Sequence, residues 1–256
     1  MKMGGERLCM PSPSIEQFID AVKQTVIANK RWVPPPGKGS LYIRPLLMGT
    51  GPVLGVAPAP EYTLLIHACP VGIFHKARAF NQLIENTEGQ PSISTLRINS
   101  AELQLVELEV YKSQKEARAK GFSDVLFLDS VTGKNIEEIS TANIFILNGN
   151  VVSTPALING TVQPGVTRKS IMEIALDFGY QVEERVIPLE DLLQADEAFC
   201  TGTAVTVNPI GAVTYLTKRV EFRTGKEALS QKLYETLSGI QTGRLEDKKG
   251  WTLEVN

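Results

Sequence analysis

Cysteine is scarce in this chain of 256 residues: Cys9, Cys69 and Cys200 are odd in number, far apart, and lack the paired spacing of a metal site. That argues against a disulfide framework or a cysteine-built zinc centre and reads as reduced thiols of an intracellular protein. Histidine is scarcer still. His67 and His75 have no metal-type partners in the sequence and read as structural or surface residues. Charge imbalance is also missing, since 26 Lys+Arg against 28 Asp+Glu leave −2. Neither nucleic acid nor an anionic membrane is therefore an expected partner. No apolar run approaches the ~20 residues that span a bilayer, and there are no repeats or low-complexity tracts. The start, Met1-Lys2-Met3-Gly4-Gly5, has neither a secretory apolar core nor an Arg/Ser-rich transit segment, so the expected location is the cytoplasm. What is present is an ordinary globular balance, 43% hydrophobic and 21% charged, with enough chain to bury a core in one or two domains.

Periodicity predicts an α/β chain of mixed (α+β) type. Ser14 to Lys30 reads as an amphipathic helix, with Ser14 as cap and Ile15, Phe18, Ile19, Val22 and Val26 on one face. Leu41 to Leu47 and Tyr62 to Ala68 read as strands beyond the loop Pro34–Gly39. Val125 to Leu128 and Ile144 to Leu147 are β-rich runs, and Asn148-Gly149-Asn150 is a hairpin turn into Val151-Val152. Arg168 to Phe178 is a helix with Ile171, Ile174, Ala175 and Phe178 on one face. Val182 to Val186 follows as a strand, and Leu189 to Gln194 and Lys226 to Thr242 as helices. Asn81 to Ser100 is polar with little periodicity, and Ala101 to Lys120 reads as a charged helix. The expected domains are 1–72, a partial N-terminal small domain; 73–118, a linker with an atypical segment; and 119–256, a larger C-terminal domain.

The stretch Thr161 to Ser170 carries chemistry. Pro164-Gly165 makes a turn before a helix, and a helix start offers free N–H groups and a positive dipole end to a phosphate. Thr203, in the Gly-flanked loop Thr201–Ala204, can add a hydroxyl to the same anion. Glu138 supplies a carboxylate of the kind that keeps a pyridine nitrogen protonated. A phosphate cradle with a carboxylate suggests pyridoxal 5′-phosphate (PLP).

The wording of these three segments resembles the class IV, PLP-dependent aminotransferases, and within them the plant branched-chain amino-acid aminotransferases. The likeness extends through Trp32 to Pro45, Leu54 to Pro60, Cys69 to Gly72, Gly121 to Asp124 and Glu246 to Trp251. It implies a fold-type IV architecture, PLP as cofactor, a homodimer, and amino transfer between leucine, isoleucine or valine and 2-oxoglutarate. By that resemblance Glu138 pairs with the pyridine nitrogen, and Thr141, Val166, Thr167 and Thr203 complete the cofactor site. Tyr42, Arg44 and Ala204 border the substrate. Without the resemblance Glu138 would read as an exposed strand-end acid and Arg44 as a surface cation. Gln163 stands where the family has leucine packed on the cofactor.

Two departures qualify the expectation. The family's N-terminal segment, with its phosphate-binding arginine, is not seen before Met1, so the small domain is expected to be incomplete. The family's Gly-Gly-Thr-Gly-Gly-Val, its cofactor-holding lysine and the following Asn-Tyr pair are replaced by Glu102 to Val110. Codons for Glu102 to Val110 exist whose alternative frame reads Ala-Thr-Ala-Gly-Gly-Thr-Gly-Gly, so a frameshifted or mis-spliced segment is one reading. Lys112 is the surviving candidate for the catalytic lysine; the alternative is that Lys112, Lys115 and Lys120 decorate an exposed helix. Three functional readings follow: an impaired branched-chain aminotransferase, a methionine-chain-elongation transaminase, and a non-catalytic remnant or splice form.

Overall fold

A computed structural model describes residues 1–55, 57–72, 80–85, 103–158 and 160–255. The contacts divide the chain into two compact units. The first contains residues 1–76, 99–101 and 250–256, and the second 77–98 and 102–249.

In the first unit a short helix, Lys2–Arg7, precedes the helix Ile15–Ala28. Ser14 starts the latter as anticipated. Its hydroxyl accepts from Gln17 N–H at 3.2 Å, while Gln17 Oε1 accepts from Ser14 N–H at 2.9 Å. This reciprocal pair satisfies two N–H groups at the helix entrance. Strands β1 (Gly39–Thr50) and β2 (Glu61–Gly72) form an antiparallel ribbon from Gly39↔Gly72 to Thr50↔Glu61. Gly39 is required there, because a Cβ would collide with the Val71 carbonyl. No other strand pairs with this ribbon among the described residues. Gly5 is the unit's one buried residue among those described.

The second unit is built on one large sheet. Its strands are β3 (Phe80–Glu85), β4 (Asp124–Leu128), β5 (Asn135–Ile139), β6 (Asn143–Asn148), β7 (Val151–Pro155), β8 (Gln181–Arg185), β9 (Ile187–Pro188), β10 (Glu197–Gly202), β11 (Thr206–Tyr215) and β12 (Lys218–Glu221). The order across the sheet is β8-β7-β6-β10-β11-β3-β4-β5-β9, with β12 also on β11. The anticipated hairpin joins β6 to β7, with Gly149 in the left-handed region at φ 58°. Alternation sorts the apolar side chains. Ile144, Ile146, Leu126, Leu128, Cys200 and Ile210 enter one core cluster, whereas Val125 and Phe127 pack with Val110 and Ala117 of the helix Leu103–Ala119. Phe145 and Phe199, neighbours across β6 and β10, stack at 5.1 Å. The helices Val166–Asp177 and Leu229–Gln241 bury Ile171, Ile174, Leu233 and Leu237. Each such side chain contributes about 1.5–3 kcal/mol.

The charged helix expected over 101–120 is present as Leu103–Ala119, but Phe80–Glu85 forms a strand that enters the stretch of little periodicity from Asn81 on. Both belong to the second unit, whereas the sequence assigned them to a linker. The rest of the polar stretch, residues 86–100, lies outside the described residues, as do Glu102 and His75. Among the described residues no helix is long and apolar enough to cross a membrane.

Candidate active site

At one end of the second sheet, β5 passes to β6 through Ser140–Ala142, and β10 passes to β11 through Thr203–Val205. Register brings the two turns together. Thr201 lies opposite Asn143, and a Cβ on Gly202 would stand 3.5 Å from the Thr141 carbonyl. Glu138, on β5, is 5% exposed, which removes the reading of an exposed strand-end acid. Burial of a carboxylate requires donors. Oε2 accepts from Gln163 N–H at 2.8 Å and from Asn143 Nδ2 at 3.1 Å. The same Asn143 nitrogen also donates to the Gln163 carbonyl at 2.8 Å.

That loop leads through Gly165, the N-cap, into the 12-residue helix Val166–Asp177. A side chain on Gly165 would collide with Asn143 Oδ1. The first-turn N–H groups, those of Val166 and Thr167 among them, have no intrahelical acceptors and sit at the positive dipole end. Since Gln163 is bonded to Glu138 and Val166 is three residues further, at most about 11 Å of chain separates acid from helix start. The helix start is anchored by Arg168, 2% exposed, whose Nη2 donates to Glu184 Oε2 and the Pro155 carbonyl, both at 2.8 Å. Two buried polar atoms have no protein partner here: Arg168 Nε and Thr201 Oγ1. Just beyond Thr203, Thr206 holds φ 55°, a backbone strain of the kind that clusters at functional sites.

A second polar network braces the Ser140–Ala142 turn. Asp124 accepts from Ser140 Oγ in a short contact, from Gln114 Nε2 at 3.1 Å, from Val125 N–H at 2.9 Å and from Thr141 Oγ1 at 3.3 Å. Gln114 Nε2 also donates to Ser140 Oγ at 2.6 Å. Burial first, and the Asp124 charge second, push the Cys200 thiol far up, so it remains a protonated core thiol and no nucleophile.

The structure thus gathers Glu138, Thr141, Val166, Thr167, Thr203 and Ala204 at one end of one unit. Tyr42 and Arg44 belong to the other unit, where Arg44 Nη2 donates to Tyr42 Oη at 2.9 Å and the guanidinium lies 5.3 Å from the ring centroid. His67 is exposed opposite Arg44, and no group of metal-type ligands occurs among the described residues. Lys112 is exposed on the helix Leu103–Ala119, off the side on which Val110, Gln114 and Ala117 are buried. Every lysine described in the second unit is exposed. Asn143, Asp124, Ser140, Gln114 and Thr201 were given no role from sequence. The available signal for Asn143 was an amide at the head of the apolar run Ile144–Leu147, since a polar group buried in a strand needs partners.

The residues present suit both poles of PLP, with a buried carboxylate for the pyridine nitrogen and, within a short chain reach, donors for a phosphate. They do not include a described lysine buried beside them.

Comparison with known proteins places the chain in a family. Residues 3–213 match the family described as amino-transferase class IV. The chain is 56% identical over 264 residues to a branched-chain amino acid aminotransferase 1, mitochondrial, of Humulus lupulus. It is 54% identical over 266 residues to a methionine aminotransferase of Arabidopsis thaliana. The whole chain is covered in both cases, and it spans 65% and 72% of those relatives' lengths. Among solved structures, a branched-chain aminotransferase of Thermoproteus uzoniensis with norvaline superposes at a TM-score of 0.82. That match has 28% identity and covers 99% of this chain and 80% of the other. A T.th. branched-chain amino acid aminotransferase with pyridoxamine 5′-phosphate gives 0.81 at 26% identity, covering 100% and 81%.

Proposed function

Because this chain belongs to the class IV amino-transferase family, we propose that its second unit binds PLP and that it is a branched-chain aminotransferase polypeptide. Its substrates in this reading are leucine, isoleucine or valine with 2-oxoglutarate, and its own turnover is low. The observation that carries the reading is Glu138, a carboxylate 5% exposed and fixed through Gln163 to the start of the Val166–Asp177 helix. The names of the relatives and the neighbour with pyridoxamine 5′-phosphate support it.

PLP, when bound, supplies the electron sink through which an amino group passes from an amino acid to a 2-oxo acid. The protein's part is to orient and charge it. Glu138 favours a proton on the pyridine nitrogen by opposite charge. Val166 and Thr167 offer backbone N–H groups, and Thr203 its hydroxyl, to the phosphate end, while the Thr141 hydroxyl is engaged with Asp124. Ala204, in the same unit, borders the substrate carboxylate. Proton transfer at the substrate α-carbon needs a basic amine positioned to about 1 Å. The exposed lysines of this unit, Lys112 included, do not meet that need, which is why turnover is low and why a non-catalytic, PLP-binding form is the second reading.

The test is to purify the chain with PLP, follow binding by cofactor fluorescence, and assay leucine and methionine separately with 2-oxoglutarate. Saturable PLP binding with turnover at least about a hundredfold below an intact relative is expected. Turnover near that of the relative, lost in Lys112→Ala, would make Lys112 catalytic. Failure to bind PLP ends the reading, and preference for methionine moves the substrate assignment to the methionine-type relative. Sedimentation of the same sample tests the proposed homodimer. The three unpaired thiols suit a reducing compartment; the cytoplasm is the proposed one, to be checked with a fluorescent fusion.

A further inference from the structure

We infer that Asn143 is a positioning residue: its side-chain amide fixes the Glu138 carboxylate and ties it to the turn that opens the Val166–Asp177 helix. Acid and helix start then form one rigid cradle. The inference deepens the PLP reading and rests on it for its functional meaning, while its structural content stands on this chain's own hydrogen bonds.

Asn143 is 6% exposed, so each polar atom of its amide needs a partner. Nδ2 has two protons and two acceptors, Glu138 Oε2 at 3.1 Å and the Gln163 carbonyl at 2.8 Å. An amide nitrogen suits this duty because one atom serves both acceptors, and the network assigns which atom of the amide is nitrogen. Gln163 closes the ring by donating its N–H to the same Oε2 at 2.8 Å. Three groups on β5, β6 and the loop before the helix are thereby locked in a small cycle. Gly165 completes the seat, since its missing side chain leaves the space that Asn143 Oδ1 occupies. The position of the helix start thus depends on the same amide that sets the carboxylate. A ligand that engages both poles meets them at a fixed separation, which lowers the ordering cost of binding.

Two measurements on the full chain decide this. In the chain without cofactor, hydrogen exchange of the Gln163 N–H, read by NMR, should quicken about tenfold or more in Asn143→Ala and likewise in Gly165→Ala, which pushes the amide from its other side. With PLP, each substitution should raise the dissociation constant about tenfold or more. Gly165→Ala introduced into Asn143→Ala should add less than about twofold, because the colliding amide has gone. General destabilisation would not produce that non-additivity. Gln163 exchange unchanged in both folded variants, or a Gly165→Ala effect of equal size in both backgrounds, overturns the inference. Should Asn143→Ala not fold, Gly165→Ala and Gly165→Ser decide by exchange alone. A parent chain that ignores PLP defeats the functional reading, and the exchange experiment still decides whether Asn143 positions the acid.

Discussion

Asp129 and Glu138 are both acids at strand ends, and their surroundings set them to different duties. Burial tends to push the Asp129 carboxyl up, but donors outweigh it. The Thr132 hydroxyl and the N–H groups of Thr132, Asn135 and Lys134 hold it at about 2. A depressed carboxylate adds stability above its unfolded value near 4 and loses it as the pH falls through about 2. Discounted for its solvent exposure, the contribution is about 1 kcal/mol. Urea unfolding of Asp129→Asn should therefore fall below the parent by about that much at pH 7 and approach it near pH 2.5. A constant difference across that window would show that the bonds are not to the charged form. Glu138 is buried and bonded to Asn143 and Gln163, and in the proposed function it serves a ligand. Glu138→Gln keeps the shape and removes the charge, so PLP affinity should weaken several-fold while any transamination falls by orders of magnitude. Equal rates in parent and variant would show that this glutamate is misassigned. The turn and helix beside Glu138 were legible, because Pro164-Gly165 and the apolar periodicity after them are local signals. Asn143 was not. Its role depends on a partner twenty residues away, and periodicity does not encode which buried amide meets which carbonyl.

At the scale of elements, the helix Leu229–Gln241 shows how a buried charge is tolerated. Glu197, wholly buried on β10, accepts from Arg223 Nη2 at 2.8 Å and Nε at 3.0 Å, and from the N–H groups of Leu229 at 3.2 Å and Ser230 at 3.4 Å. The hydrogen bonds that Arg223 donates to Glu197, then the charge of that carboxylate, push its guanidinium up from the usual value. One carboxylate thus caps a helix and fixes a guanidinium. Glu197→Ala leaves the orphaned N–H groups buried and should cost about 3 kcal/mol in urea unfolding. A loss under about 1 kcal/mol would mean that water replaces the carboxylate. Elements with local signals were readable: the Ser14 cap, the Asn148–Asn150 turn, and the helix after Gly165. Strand β3 was not, since Asn81, Gln82 and Glu85 break any apolar alternation. Its place comes from the ladders on either side, parallel to β11 and to β4. Such long-range pairing leaves no local trace in composition.

Across the whole molecule, the α/β class was visible in the order of periodic segments. Where the second unit begins was not, because its first strand is polar and precedes the helix that packs on β4. The two units also differ in what they enclose. The second has a continuous core from Leu126 through Ile210 to Phe222. The first has an amphipathic helix without a buried residue and a two-stranded ribbon, with Gly5 alone fully covered among the described residues. A calorimeter should register that contrast. Cooperative heat absorption needs a packed interior to lose, so a scan should show one endotherm, belonging to the second unit. A second resolved endotherm would mean that the ribbon and helix melt as a body of their own.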